Sequence, residues 1–104
     1  MSNYHVYING TWHIGKGEKR PIINPSNEKV ITEIDEASLQ QTLEAIEAAR
    51  HAFQYTNWPS NPSYRISVLR QLADLLEKNI EKFAYIETIN TGKPIRESRL
   101  DVSD

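Results

Sequence analysis

Near residue 36 the hydrophobic period of this sequence changes, and the change constrains the fold more than any single motif. Before it, apolar side chains alternate. HVYINGTWHI alternates about Asn9-Gly10, a dipeptide that tolerates positive φ and so favours a tight hairpin turn. PIINPSNEKVITEI gives two β-branched runs, Ile22-Ile23 and Val30 to Ile34, around Asn24-Pro25-Ser26-Asn27, where proline fixes φ and the polar side chains bond local backbone. GKGEKR, residues 15–20, reads as a polar loop. Residues 1–35 are therefore β-rich, an antiparallel hairpin or meander of two or three strands. Such a ribbon is marginal alone and needs something to lie on.

After residue 36 apolar positions recur every three or four residues. Ser38 followed by Gln41 has the spacing of a capping box. Leu39, Leu43, Ile46, Ala49 and Phe53 share one helix face, and that helix fades at Tyr55-Thr56-Asn57. Trp58-Pro59-Ser60-Asn61-Pro62-Ser63 is a connection that no helix crosses. A second helix places Ile66, Leu69, Leu72, Ala73 and Leu76 together. Asn79 interrupts it, and Ile80, Phe83, Ala84 and Glu87 continue the period out of phase to Asn90. Gly92 is placed as the left-handed residue beyond a helix end, and Pro94 as the first residue of a third helical stretch. Residues 36–104 thus read as two to three α-helices.

Size and charge narrow the function classes. A chain of 104 residues has room for one small domain, and 38% hydrophobic residues is lean for a core of that size. A net charge of −2 gives no electrostatic footprint for nucleic acid or an anionic membrane. No apolar run is long enough to span a bilayer. The start, MSNYHVYING, lacks the basic and apolar regions of a signal peptide, so a cytoplasmic location is expected. There is no cysteine, which removes disulfides, thiolate metal sites and a cysteine nucleophile from these residues.

Individual candidates for chemistry are weak. His5, His13 and His51 are far apart, none at a ligand spacing from another. Gly15-Lys16-Gly17 lacks the third glycine and the strand-to-helix context of a dinucleotide fingerprint. Asn9-Gly10-Thr11 is formally a glycosylation sequon, but the turn reading serves it better. Asp101 and Asp104 share a helix face at a solvated helix start. Arg65, Arg70, Arg96 and Arg99 read as surface ion-pair partners of little energetic worth. No catalytic and no cofactor-binding residue is assigned.

An ordered set of segments adds what single residues do not. YINGTW (7–12), INPSNEKVI (23–31), AIEAARHAF (45–53), Trp58, RISVLRQLADLLEKN (65–79) and IETINTGKPIRES (86–98) resemble, in order, the start of the NAD(P)-dependent aldehyde dehydrogenase superfamily, with the flavour of its betaine-aldehyde and aminoaldehyde branch. The resemblance implies an α/β parent fold, of which residues 1–104 are the N-terminal part of the cofactor-binding domain. It implies oxidation of an aldehyde, betaine aldehyde among the candidates, to the carboxylate with NAD(P)⁺. It also implies that nucleophile, base, dinucleotide cradle and oligomerisation elements lie beyond residue 104, so that these residues are a truncated piece, inactive alone. A monovalent cation, K⁺ or Na⁺, is implied too, with Ile23 supplying a main-chain carbonyl and Asp101 a carboxylate. Uncovered apolar faces then predict that these residues alone either self-associate or are only partly ordered. The alternative is a small non-catalytic helical interaction module.

Overall fold

The structure, a computed structural model, describes residues 4–104. Asn9 and Gly10 both take positive φ, 52° and 79°, as a primed two-residue turn requires. β1 (Tyr4–Ile8) therefore folds back on β2 (Thr11–Ile14), setting Tyr7 opposite Trp12 with their rings edge to face at 5.0 Å. The register slips between Tyr4 and Val6, which makes His5 the extra residue of a bulge.

β3 (Lys19–Ile23) and β4 (Val30–Asp35) form a second two-stranded sheet of their own. The connection between them is too short for a crossover, so this pair too is antiparallel. The expected meander of two or three strands is thus two separate hairpins with four strands. The break falls at Gly15-Lys16-Gly17. There the chain presses against the backbone that follows β4: Gly17 N–H donates to Glu36 O at 2.7 Å and Glu36 N–H to Glu18 O at 2.9 Å. A β carbon on Gly15 would stand 2.2 Å from Asp35 O, so only glycine lets the two backbones pass. Lys19 and Arg20, read as loop, are strand residues instead. Their charges are matched across the hairpin, Lys19 to Asp35 at 2.8 Å and Arg20 to Glu36 at 2.6 Å.

α1 (Leu39–Tyr55) opens on the expected capping box: Ser38 Oγ accepts from Gln41 N–H at 3.1 Å and Gln41 Oε1 accepts from Ser38 N–H at 3.0 Å. α2 runs Pro62–Lys78, so Pro62 and Ser63 belong to its first turn rather than to the connection. A first-turn residue has no intrahelical use for its N–H, and proline costs nothing there. Asn79 separates α2 from α3 (Ile80–Thr91), its side-chain amide donating to Leu75 O at 2.8 Å. α4 is Ile95–Ser103. Pro94 precedes it as N-cap, with ψ at 141° outside the helical region, one residue short of the expected first helical position.

The change at residue 36 is one of secondary structure and does not divide the compact units. One unit comprises the described residues to Pro21 with Thr32–Asn61, and the other Ile22–Ile31 with Pro62–Asp104. In the first, α1 packs on β1, and Ile8 and Gln41 are buried. In the second, α3 packs on α4 and α2 touches both; Ala84 and Ser98 are fully buried, and Ser98 Oγ lies 2.8 Å from Thr88 Oγ1.

The helix faces read from the period exist, but they are not core. On α1, Leu39 is 77% exposed, Ile46 61% and Phe53 66%. On α2, Val68 and Leu76 are half-buried while Ile66, Leu69 and Leu72 face out. Among the described residues no helix is long and apolar enough to cross a membrane.

Candidate functional site

The most organised non-helical geometry lies in the second unit, where two turns meet. The first is Asn24–Lys29, between β3 and β4. Asn24 Oδ1 accepts from Ser26 N–H at 2.9 Å and Asn27 Oδ1 from Lys29 N–H at 3.0 Å. Main-chain bonds close it, Asn24 N–H to Lys29 O and Glu28 N–H to Asn24 O, both at 2.8 Å, with Glu28 left-handed at φ 61°. These are side-chain-to-backbone turns that Asn and Pro chemistry dictates locally.

The second is the end of α3. Gly92 takes φ 77° and ψ 5°, and its N–H donates to Thr88 O at 2.9 Å. A side chain on Gly92 would put its β carbon 3.1 Å from Pro25 Cγ. Glycine here answers two demands at once, the left-handed cap and the close approach of the Asn-Pro turn. The N-P turn and T-G-K-P, widely separated in sequence, are therefore in contact.

Lys93 then organises the charges. Its ammonium bonds the carboxylate of Asp101 on α4 and reaches Glu87 Oε1 on α3 at 3.4 Å. The hydrogen bond that Lys93 donates to Asp101 is the largest influence and holds the Lys93 pKa above its ordinary value; desolvation, next in size, opposes it, and the Asp101 charge and then Glu87 add to the rise. Asp101 lies in the second half of α4, which corrects its reading as a helix-start aspartate. Ile23 ends β3 and is partly exposed, on the same unit as Asp101. Arg99 and Arg96 are surface ion-pair partners as expected, Arg99 bidentate to Glu81 at 2.9 and 3.1 Å and Arg96 to Glu97 at 3.4 Å. The sequence reading missed Lys93 as a charge hub; its signal was a lysine just past a helix cap with acids on both flanking helices.

In the first unit, His13, His51, Glu44 and Glu47 line one open cleft, and the His51 ring lies tilted against Tyr55 with centroids 4.9 Å apart. Among the described residues no group of three or more His, Cys, Asp or Glu is arranged to hold a metal ion. The described strand pairs are antiparallel, and Gly15-Lys16-Gly17 joins two strands rather than a strand to a helix. A dinucleotide cradle needs a parallel strand feeding a helix N-terminus, so the described residues do not fit NAD(P) as a bound group. The arrangement fixes turns, a helix cap and charges.

A sequence profile described as "Aldehyde dehydrogenase family" matches residues 12–104. Betaine aldehyde dehydrogenase of Bacillus subtilis (strain 168) is 34% identical over 101 residues, 95% of this chain and 21% of that protein. Cytosolic aldehyde dehydrogenase 1 of Rattus norvegicus is 38% identical over 85% of this chain and 18% of its own length. Among solved structures, a point mutant of betaine aldehyde dehydrogenase from Staphylococcus aureus in complex with NAD⁺ superposes with TM-score 0.90 at 35% identity, over 98% of this chain and 21% of that one. The NAD-dependent aldehyde dehydrogenase from Sinorhizobium meliloti gives TM-score 0.88 at 28% identity, over 98% of this chain and 21% of that one. The chain spans about a fifth of the length of the relatives it matches.

Proposed function

The chain belongs to the aldehyde dehydrogenase family, and from that premise we propose that it serves as the N-terminal structural part of an enzyme oxidising an aldehyde to its carboxylate with NAD(P)⁺, betaine aldehyde being the favoured substrate. The observation that carries the reading is the family match over residues 12–104, a stretch in which the Asn24–Lys29 turn lies against the Gly92 cap. NAD(P)⁺ would supply the hydride acceptor of the reaction. The described residues would contribute positioning: Lys93 fixes α4 against α3, and Gly92 seats the Asn-Pro turn.

The same reading includes the monovalent cation, K⁺ or Na⁺, at the Ile23 carbonyl and Asp101. Oxygen donors on one unit support it. The Lys93 ammonium, already on Asp101, competes for the carboxylate. Two donors do not complete the oxygen shell of a hard cation, and no step depends on it. A cytoplasmic location belongs to the proposal as well.

The test is an aldehyde-dependent assay of the purified chain. No NAD(P)H is expected above a heat-killed control, because the chain has no cysteine and the described residues form no cradle. Turnover in protein free of host dehydrogenase would assign chemistry to these residues and overturn their structural role.

A further inference from the structure

The bulge in β1 aims a histidine at the end of β4. His5 is the extra residue where the β1–β2 register slips, and a bulge re-aims the side chain it carries. Its Nδ1 accepts the Asp35 N–H at 3.0 Å, a partly buried bond between the first hairpin and the last residue of β4. An Nδ1 that accepts carries no proton, so the ring proton is on Nε2. Protonated imidazole has two donors and no acceptor. Donor then faces donor, and the Asp35 N–H loses its partner.

We propose that His5 is a pH-sensitive latch holding the first hairpin to the end of β4, closed when the imidazole is neutral and released when it is protonated. The other charges around it do not substitute for the lost acceptor. β4 and the residue after it bring Glu33, Asp35 and Glu36. β3 answers with Lys19, at 2.8 Å from Asp35 and 4.0 Å from Glu33, and with Arg20 on Glu36. β2 contributes His13, opposite Val6. α1, packed on β1, contributes Glu44, Glu47 and His51 along its cleft. None of these carboxylates returns an acceptor to the Asp35 N–H. Protonation of the imidazole therefore opens the latch.

The test reads that one amide on the full chain by NMR. At about pH 7.5 His5 shows the Nε2–H tautomer and the Asp35 amide is protected. At about pH 5.5 its protection, corrected for intrinsic exchange, falls at least about tenfold. His5→Asn places a carbonyl oxygen where Nδ1 sits and does not titrate, so it keeps protection at both pH values. His5→Phe loses it at both. An Nδ1–H tautomer at the higher pH, an unprotected Asp35 amide there, or equal protection at both pH values in the wild type would overturn the latch. So would His5→Phe retaining protection, or His5→Asn losing it in step with the wild type.

Discussion

Gln41 Nε2 donates to the Ile14 carbonyl at 2.9 Å, while Oε1 of the same side chain accepts from Lys16 N–H at 2.9 Å and from Ser38 N–H at 3.0 Å. One buried amide thus caps α1 and holds the glycine loop after β2. Gln41→Ala leaves three backbone groups without that partner and is expected to cost about 2 kcal/mol. Gln41→Glu keeps the acceptor and loses the donor to Ile14, so its loss is expected to be smaller. Denaturant midpoints at constant m-value measure both; a midpoint unchanged in Gln41→Ala would remove Gln41 as a hub.

Gly92→Ala is expected to destabilise by about 1 kcal/mol from the left-handed backbone alone. The β carbon at 3.1 Å from Pro25 Cγ adds to that. Gly92→Val should cost more than Gly92→Ala. Combining Gly92→Ala with Pro25→Gly should recover the contact part and leave the backbone part. Thermal unfolding of the four proteins separates the two, and full recovery in the double variant would contradict the left-handed φ of 77°.

Lys93 makes stability depend on alkaline pH. Its pKa is raised in the folded chain, first by Asp101 and then by Glu87. The pair's contribution is therefore fully present below the unfolded lysine value of about 10.4 and is lost as pH rises through the higher folded value. Lys93→Met should remove this share of the alkaline decline, leaving that of Lys19, which is raised by Asp35. Exposure makes the effect small and salt-sensitive. Identical alkaline unfolding curves for Lys93→Met and wild type at low salt would refute it.

Local chemistry was legible in the sequence, and action at a distance was not. Asn9-Gly10, the Ser38–Gln41 box, the Asn79 break and the Gly92 cap all follow from a few adjacent residues, and each forms as read. Lys19 and Arg20 looked like loop because the charges that match them sit across a hairpin, on Asp35 and Glu36. Pro62 looked like a barrier because proline forbids a helix interior, yet it admits a first turn. The reach of Gln41 to Ile14, and of Gly92 to Pro25, depends on contacts no window of sequence contains. For the site, Ile23 and Asp101 came from resemblance, whereas Lys93 was visible only once α3 and α4 stood side by side.

The uncovered apolar faces predict association. Leu39, Ile46 and Phe53 on α1, and Ile66, Leu69 and Leu72 on α2, are exposed. Burial at about 25 cal/mol per Å² makes a few hundred Å² worth several kcal/mol, comparable with the whole stability of a small domain. Sedimentation velocity should show mass rising with concentration in the micromolar range. Ile46→Lys with Leu69→Lys should reduce it. A monomer at high micromolar concentration with cooperative unfolding would favour a self-sufficient interaction module.

The most direct measurement is a segment exchange. Residues 12–104 replace the matched segment of Bacillus subtilis betaine aldehyde dehydrogenase, and betaine-aldehyde-dependent NAD⁺ reduction is compared with the parent. Residues that position turns and helices without doing chemistry should transfer. The chimera is expected to keep kcat/KM within about tenfold of the parent, or ~1.4 kcal/mol in transition-state stabilisation, and Gly92→Val within it should lower its melting temperature. A chimera that folds with the parent's size and secondary structure but reduces no NAD⁺ would contradict the assignment of these residues as a structural part of an aldehyde dehydrogenase.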